Sequence, residues 1–224
     1  ELNDQGEAID GLLLNAGLQY AGHRQVRRSA QGVELTIAVN HLAHQRLLMD
    51  LLPLLHQSAA PRVVITASEV HNPASGGGRV GRPAGLGDLS GLEQRSEMVN
   101  GEPPFDADKA YKDSKLCNLL MGRHLARLQP QWPVICWSPG LVIPRSRDGF
   151  FRNGREANPI GQALFGFVAR DLLRLTEHPQ RAAELLLRLV LDPAMPQGFS
   201  YWSNELLGPG RHQFACTETS AEAA

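Results

Sequence analysis

The sequence has few cysteines, no excess of charge of one sign and no long apolar run. Three cysteines without a C-x-x-C pair disfavour a disulfide framework or a cysteine zinc site, and favour a reducing compartment such as the cytoplasm. Lys plus Arg number 22 against 23 Asp plus Glu, so no basic excess is available for a nucleic-acid backbone. Because no apolar run is long enough to span a bilayer, we expect no transmembrane segment. The 224 residues predict one soluble globular domain.

Three apolar runs that do not alternate with polar residues predict buried strands of a parallel sheet. They cover residues 9–17, 62–68 and 134–137, and small or polar residues follow each of them. Between these runs, residues 32–57 and 108–128 repeat apolar side chains at helical spacing. The alternation of strands and helices predicts a doubly wound, three-layer α/β domain of the Rossmann-like class.

The remaining segments complete a single predicted domain over residues 1–216. Residues 71–104 are rich in Gly and Pro, which predicts a long loop outside the sheet, of a kind that is usually functional or mobile. Residues 158–191 predict helices, 198–203 a last strand, and 217–224 a flexible polar tail. The glycines of 76–81 satisfy G-x-G-x-x-G, but no helical pattern follows, so we interpret them as part of the loop.

One helix and three strand ends carry the candidate chemistry. Tyr111 and Lys115 are four residues apart, so both side chains project from one helix face. A phenol is a weak acid at neutral pH, and a neighbouring ammonium should lower its pKa toward the working range. Ser68 ends the middle strand, at the edge where open α/β sheets bind ligands, and could hold a carbonyl oxygen beside the phenol. Asn40 lies inside the first long helix, where Asn is a poor helix former, and Gly17 would let a ligand approach the backbone.

Together these residues resemble the short-chain dehydrogenase/reductase family. The positions that carry the resemblance, in the family's order, are Asn15-Ala16-Gly17, Asn40, Ser68, Tyr111-x-x-x-Lys115 and Pro139-Gly140. The resemblance implies NADPH as cofactor, bound by Asn15, Ala16, Gly17, Tyr111, Lys115, Pro139 and Gly140. It also implies four catalytic roles: Tyr111 as general acid, Lys115 as the ribose ligand that lowers the phenol pKa, Ser68 as the group that orients the carbonyl, and Asn40 as the anchor of a proton-relay water.

Three stretches resemble one branch of that family, the light-dependent protochlorophyllide oxidoreductases. They are GLGDLSGL at 85–92, FDADKAYKDSKLCN at 105–118 and YWS at 201–203. This implies hydride transfer from NADPH to an apolar conjugated substrate, a tetrapyrrole of chlorophyll biosynthesis, with Tyr111 as proton donor and a place beside a photosynthetic membrane. Leu141 stands where that branch has a cysteine after the Pro-Gly pair. The family's T-G-x-x-x-G-x-G loop is absent from these 224 residues, so we expect the first βα units, which select NADP or NAD, upstream.

Two other functions stay open. Y-x-x-S-K-L-x-N followed by Pro-Gly-Leu-Val also resembles retinol-dehydrogenase-like members, which makes a dark carbonyl reductase of retinal-like or lipid aldehydes and ketones one alternative. The other is a non-catalytic binding or assembly protein that lacks the cofactor. His41 and His44 have no third ligand at suitable spacing, so we expect no metal site. The two long helices would provide a surface for a homo-oligomer.

Overall fold

The computed structural model describes residues 7–146 and 150–220, which contain one five-stranded sheet. The strands are Gly11–Leu14 (β1), Arg62–Thr66 (β2), Pro133–Ser138 (β3), Gly198–Gly208 (β4) and Arg211–Thr219 (β5). They lie in sequence order, β1 to β4 are parallel, and β5 is antiparallel to β4. The α-helices are Leu35–Ile37 (α1), Ala43–Leu55 (α2), Ser90–Glu93 (α3), Ala107–Leu128 (α4), Arg152–Ala157 (α5), Pro159–Gly166 (α6) and Pro179–Leu191 (α7). Two π-helical segments, Ala38–Leu42 and Phe167–Leu172, and a 3₁₀ helix, Glu69–His71, complete the list.

Helices cover both faces of the sheet. Successive side chains of a strand point to opposite faces, so Val63 and Ile65 of β2 share one apolar core while Val64 joins another. The first core is closed by α2 and α4, and the second by α7 through side chains such as Leu189. This arrangement confirms the predicted three-layer, Rossmann-like fold.

β1 is shorter and more exposed than the sequence predicts. The predicted run 9–17 is a strand only over Gly11–Leu14, with Leu14 fully buried but Leu13 41% exposed. Within the described residues β1 pairs with β2 alone, which makes it an edge strand. The prediction that both faces of the strand are buried is therefore wrong for β1. It is confirmed for β2 and β3, whose side chains belong to the cores on both faces of the sheet.

The C-terminal part differs most from the prediction. The predicted helical stretch 158–191 is interrupted between the π-helical segment and α7, where Glu177 forms a bridge with Val142. β4 continues to Gly208, and β5 was not predicted because its sequence is largely polar. Residues 217–219 belong to β5 instead of the predicted tail, and the Glu218 carboxylate accepts hydrogen bonds of 2.6 and 2.7 Å from Arg123 of α4. Residues 221–224 lie outside the described part of the chain.

The long segment 71–104 lies outside the sheet, as predicted, but it is closely packed. Its Met98 and Val99 are buried, and α3 forms within it. Gly91 of α3 lies so close to the chain around Met98 that an added Cβ would be 2.0 Å from the Met98 carbonyl oxygen. Position 91 requires a glycine because of this close backbone contact, not because the loop needs freedom of movement there.

Gly91→Ala should therefore destabilise the protein. We expect a loss of about 3 kcal/mol in the free energy of unfolding, because backbone atoms cannot yield as a flexible side chain can. Urea denaturation measures this, with Gly76→Ala as the matched control, since a Cβ at Gly76 would meet nothing within 4 Å. Equal stability of the two variants would contradict the packing described for α3.

Candidate active site

A chain of hydrogen bonds joins three strand ends at the carboxyl edge of the sheet. The Trp137 indole donates to the Thr66 hydroxyl (2.9 Å), and that hydroxyl donates to the Asn15 amide oxygen (2.7 Å). Thr66 thus links β3 and β2 to the residue that follows β1. Parallel strands bring their carboxyl ends to one edge, and this is where open α/β sheets bind ligands.

Lys115 of α4 is buried beneath this edge of the sheet. Its side chain is buried, and the ammonium Nζ donates to the Thr66 carbonyl oxygen at 2.9 Å. The Asn118 amide donates to the same oxygen at 3.3 Å. Burial lowers the pKa of Lys115 to about 8, so the ammonium is still largely charged at neutral pH. A positive charge therefore lies 5.6 Å from the centroid of the Tyr111 ring.

Tyr111 is a protonated phenol in this environment. Desolvation raises its pKa to about 12, and a hydrogen bond with the Ser68 side chain opposes this rise only in part. The phenol pKa is raised in this structure, not brought toward neutrality as expected, and the group that opposes the rise is Ser68, not Lys115. The Phe150 ring lies 5.3 Å from the Tyr111 ring, centroid to centroid. A phenol of this kind can give a proton and is a poor base.

Asn40 connects the chain after β1 to α4. Its amide oxygen accepts from the Leu18 backbone N–H (2.8 Å), and its amide nitrogen donates to the Leu18 carbonyl (3.0 Å) and to the Ser114 hydroxyl (3.1 Å). The predicted long helix 32–57 contains a π-helical turn at this residue, and such turns often occur at functional sites. Asn40 is fully buried. Its role as the anchor of a relay water stays a prediction.

Two glycines shape the edge of the site. Gly140 has φ +76°, and an added Cβ would be 2.7 Å from the Asn204 carbonyl oxygen, so only glycine suits the position. The Asn204 amide also donates to the Pro139 carbonyl at 3.2 Å. At Gly17, an added Cβ would be 3.9 Å from Lys115 Nζ, which places this backbone beside the ammonium. Asn15 and Ala16 are exposed next to it.

Sequence reasoning missed two residues that organise the site. The sequence pattern predicts Thr66 only as part of a strand. Its position two residues before Ser68, at the end of a buried run, was an available signal that it belongs to the site. Asn204 gave no signal, because the Pro139 carbonyl that it contacts is 65 residues away in the chain. The segment 76–81 forms turns with no helix after it, which confirms its interpretation as a loop.

The two helix histidines have no metal-binding arrangement. His41 Nδ1 donates to the Asn118 amide oxygen at 3.1 Å, and His44 is buried. In the described part of the chain, no three His, Cys, Asp or Glu side chains come together as metal ligands. Over the same residues, no helix has both the length and the apolar character needed to cross a membrane.

The fold is the one found in short-chain dehydrogenases. Among solved structures, a short-chain dehydrogenase family protein of Francisella tularensis superposes with a TM-score of 0.58 at 19% identity, covering 89% of this chain and 70% of that one. A short-chain dehydrogenase of Shigella flexneri complexed with NADP gives a TM-score of 0.51 at 23% identity, covering 87% of this chain and 62% of that one. No protein-family model matches the chain. These structures share the fold.

Curated relatives indicate a narrower group of similar proteins. The chain is 33% identical over 213 residues to protochlorophyllide reductase A of Oryza sativa, covering 88% of this chain and 52% of the relative. It is 34% identical over 210 residues to protochlorophyllide reductase of Avena sativa, covering 87% of this chain and 64% of the relative. The chain is similar to protochlorophyllide reductases and shares the fold of short-chain dehydrogenases. It spans between about half and two thirds of the length of these relatives.

The buried His44 predicts a specific pH dependence of stability. Desolvation, with smaller contributions from Lys115 and His41, lowers its pKa from 6.5 to about 4. The unfolded chain therefore binds a proton that the folded chain does not, and stability falls as the pH drops from 6.5 toward 4. At about pH 5 this group alone should cost about 2 kcal/mol relative to its neutral state.

Urea denaturation at about pH 7.5 and about pH 5 tests this linkage. The variant His44→Leu should lose about 2 kcal/mol less between the two pH values than the wild type. The exposed His124 on α4 offers a control, since His124→Leu should keep the wild-type pH dependence. An unchanged pH dependence in His44→Leu would show that His44 does not have the lowered pKa.

Proposed function

We propose that this chain carries the catalytic residues of an NADPH-dependent reductase that acts on an apolar conjugated substrate of the protochlorophyllide type. The observation that carries the proposal is the protonated Tyr111 phenol beside Ser68, with the Lys115 ammonium on the same helix face. The similarity to protochlorophyllide reductases over 88% of the chain supports the substrate class. Reduction needs a proton as well as a hydride, and Tyr111 is placed to give that proton.

The carboxyl edge of the sheet fits the nicotinamide end of the cofactor. Among the described contacts Lys115 Nζ makes one hydrogen bond, to Thr66, so two of its N–H donors are left for ribose hydroxyls. Because Gly17 has no side chain, a ligand can approach the Lys115 ammonium. Gly140 likewise leaves the backbone on the other side of this edge without a side chain. When bound, NADPH supplies the hydride. The structural neighbour from Shigella flexneri is complexed with NADP, which supports this choice of cofactor.

The side chains divide the remaining work. The Ser68 hydroxyl orients the substrate atom that becomes negative, next to the phenol. Tyr111 Oη gives its proton to the substrate, and the resulting phenolate is stabilised by the Lys115 ammonium 5.6 Å from its ring. With a pKa of about 12 the phenol keeps its proton at neutral pH and can still give it to a developing carbanion or alkoxide, because such a group is a stronger base than the phenolate. Asn40 holds Leu18 and Ser114 in place beneath these groups.

Aromatic rings beside Tyr111 suit a flat ligand. Phe150 lies against Tyr111, and Phe151 meets Phe150 edge to face at 5.1 Å. Aromatic rings of this kind can pack on a planar conjugated system such as a tetrapyrrole. The substrate would then lie between these rings and the carboxyl edge of the sheet.

One observation favours a second candidate, the reduction of a carbonyl compound in the dark. Leu141, directly after Gly140, is 37% exposed at the edge of the site and has no thiol. The resemblance to the pigment enzymes implies a cysteine at this position. An enzyme with Leu141 instead could keep the hydride and proton chemistry on a retinal-like or lipid aldehyde without a photochemical step.

Tyr111→Phe should abolish reduction and leave the fold unchanged. The variant loses only a hydroxyl, and we expect kcat to fall by about a thousandfold while NADPH affinity stays within about threefold, because the Lys115 ammonium remains. Absorbance measures the reaction, with protochlorophyllide and NADPH mixed in darkness and then illuminated. Retinal with NADPH in darkness tests the second candidate in the same way.

Tyr20→Phe is the matched control, since it removes a buried tyrosine hydroxyl that donates to Glu34, away from the groups proposed for catalysis, and should keep wild-type turnover. Near-normal kcat in Tyr111→Phe would refute the proton-donor role. Wild-type protein that includes the expected upstream βα units and still binds no NADPH would refute the reductase proposal and favour a non-catalytic binding protein.

A further inference from the structure

All three lysines of the sequence, Lys109, Lys112 and Lys115, lie on α4 and are buried. Lys115 belongs to the site described above. The Lys109 ammonium pairs with Asp113 at 2.6 Å and donates to the Gly85 carbonyl at 2.7 Å. Lys112 forms no direct ion pair among the described residues, although the Asp108 carboxylate one turn earlier interacts with its charge, and the ammonium is held by backbone carbonyl groups. A buried ammonium is costly, so its position needs an explanation.

The Lys112 ammonium holds one segment of the long loop. It donates to the carbonyl oxygens of Gly78 (3.0 Å), Val80 (2.5 Å) and Arg82 (3.0 Å), which uses all three of its N–H donors. These carbonyls come from five consecutive residues of the loop. Lys112 therefore fixes this part of the loop to the helix that carries Tyr111.

Between Gly78 and Ser68, hydrogen bonds within the loop connect its residues to one another. The Ser75 hydroxyl donates to the Glu69 carbonyl (2.7 Å) and accepts from the Gly78 backbone N–H (2.9 Å). Gly78 is packed against Asn72, where an added Cβ would be 1.8 Å from the carbonyl oxygen. The segment from Glu69 to Gly78, which we call the bridge, has little freedom to deform.

The other end of the bridge is attached to Ser68. His71 Nδ1 donates to the Ser68 carbonyl at 2.6 Å, and the His71 backbone N–H is 3.4 Å from the same oxygen. The Glu69 backbone N–H also bonds the Ser138 hydroxyl at 3.3 Å. The bridge therefore runs from Ser68 at the carboxyl edge to Lys112, the residue after Tyr111.

We propose that Lys112 is a positioning residue that holds Ser68 opposite the Tyr111 hydroxyl, acting through the bridge. Ser68 and Tyr111 lie on different elements, β2 with its following turn and α4, and their alignment needs a fixed connection between those elements. Lys115 and Asn118 fix the end of β2 before Ser68. Lys112 adds a connection after Ser68, one residue from Tyr111, so a shift of the loop on α4 would move Ser68 relative to the phenol. The proposal rests on the proposed reductase function for its catalytic consequence, but the mechanical connection is measurable without activity.

Hydrogen exchange of backbone amides tests the connection on the full chain. In Lys112→Met, which keeps the length of the side chain but removes its donors, exchange at Asn72 and Ser75 should become about tenfold faster, although neither residue contacts Lys112. Arg127→Met, at an exposed position in the last turn of α4, is the control and should leave this exchange unchanged. Faster exchange at Gly78 and Arg79 with unchanged exchange at Asn72 and Ser75 would overturn the proposal, because Lys112 would then act only near its direct partners.

Ser75→Ala provides a second variant in case Lys112→Met fails to fold. It removes the hydrogen bonds of the Ser75 hydroxyl with Glu69, Asn72 and Gly78 without leaving a buried charge, so exchange at Asn72 should again rise. Wild-type exchange at Asn72 in this variant would also overturn the proposal.

A double-mutant cycle tests the catalytic consequence. Lys112→Met should lower kcat for illuminated protochlorophyllide about tenfold, and should have little further effect in a Ser68→Ala background, because both changes remove the same alignment. Additive effects would contradict action through Ser68. If the wild type shows no turnover, the reductase proposal fails, while the exchange experiment still decides whether Lys112 holds the bridge.

Discussion

The burial of polar side chains on α4 is the constraint on which the site depends. Lys109, Lys112, Lys115, Asp113, Ser114 and Asn118 are all buried on this one helix. A buried polar group without a partner costs free energy, so each of these side chains requires a partner nearby. The partners are backbone atoms of the β2 end and of the long loop, together with Asn40 and His41. Through these bonds, α4 fixes the parts of the chain that surround Tyr111.

The same burial determines whether Tyr111 acts as a proton donor or as a base. Tyr111 is desolvated enough to stay protonated, and Lys115 lies near enough to stabilise the phenolate that remains after proton transfer. If the ammonium dominated, the phenol would ionise more readily and would serve as a base instead. The balance in this structure favours a donor, which is what a reductase requires. Proton donation by Tyr111 thus depends on the desolvation of a single hydroxyl, which the Ser68 hydrogen bond opposes only in part.

The sequence was sufficient for features that local pattern determines. The β2 and β3 runs, the helix that carries Tyr111 and Lys115, and the loop character of 76–81 were predicted, because periodicity and spacing encode them directly. The polar strand β5 was not, because its partner β4 and the Arg123 side chain, rather than its own pattern, determine it. The raised pKa of Tyr111 was also missed, since spacing shows that Lys115 is near but not how strongly the phenol is desolvated. Lys112 gave no signal because the loop carbonyls that it binds are 30 to 34 residues away in the chain.

The central claim is that Tyr111 is a protonated donor, and ultraviolet difference spectroscopy of the phenol measures this directly. Subtracting the absorbance of Tyr111→Phe from that of the wild type across a pH titration isolates the ionisation of this one tyrosine. With a pKa of about 12, no phenolate signal from Tyr111 should develop up to about pH 10. A phenolate that appears with a midpoint below the ordinary tyrosine value of about 10 would contradict the account, because the Lys115 charge would then outweigh desolvation.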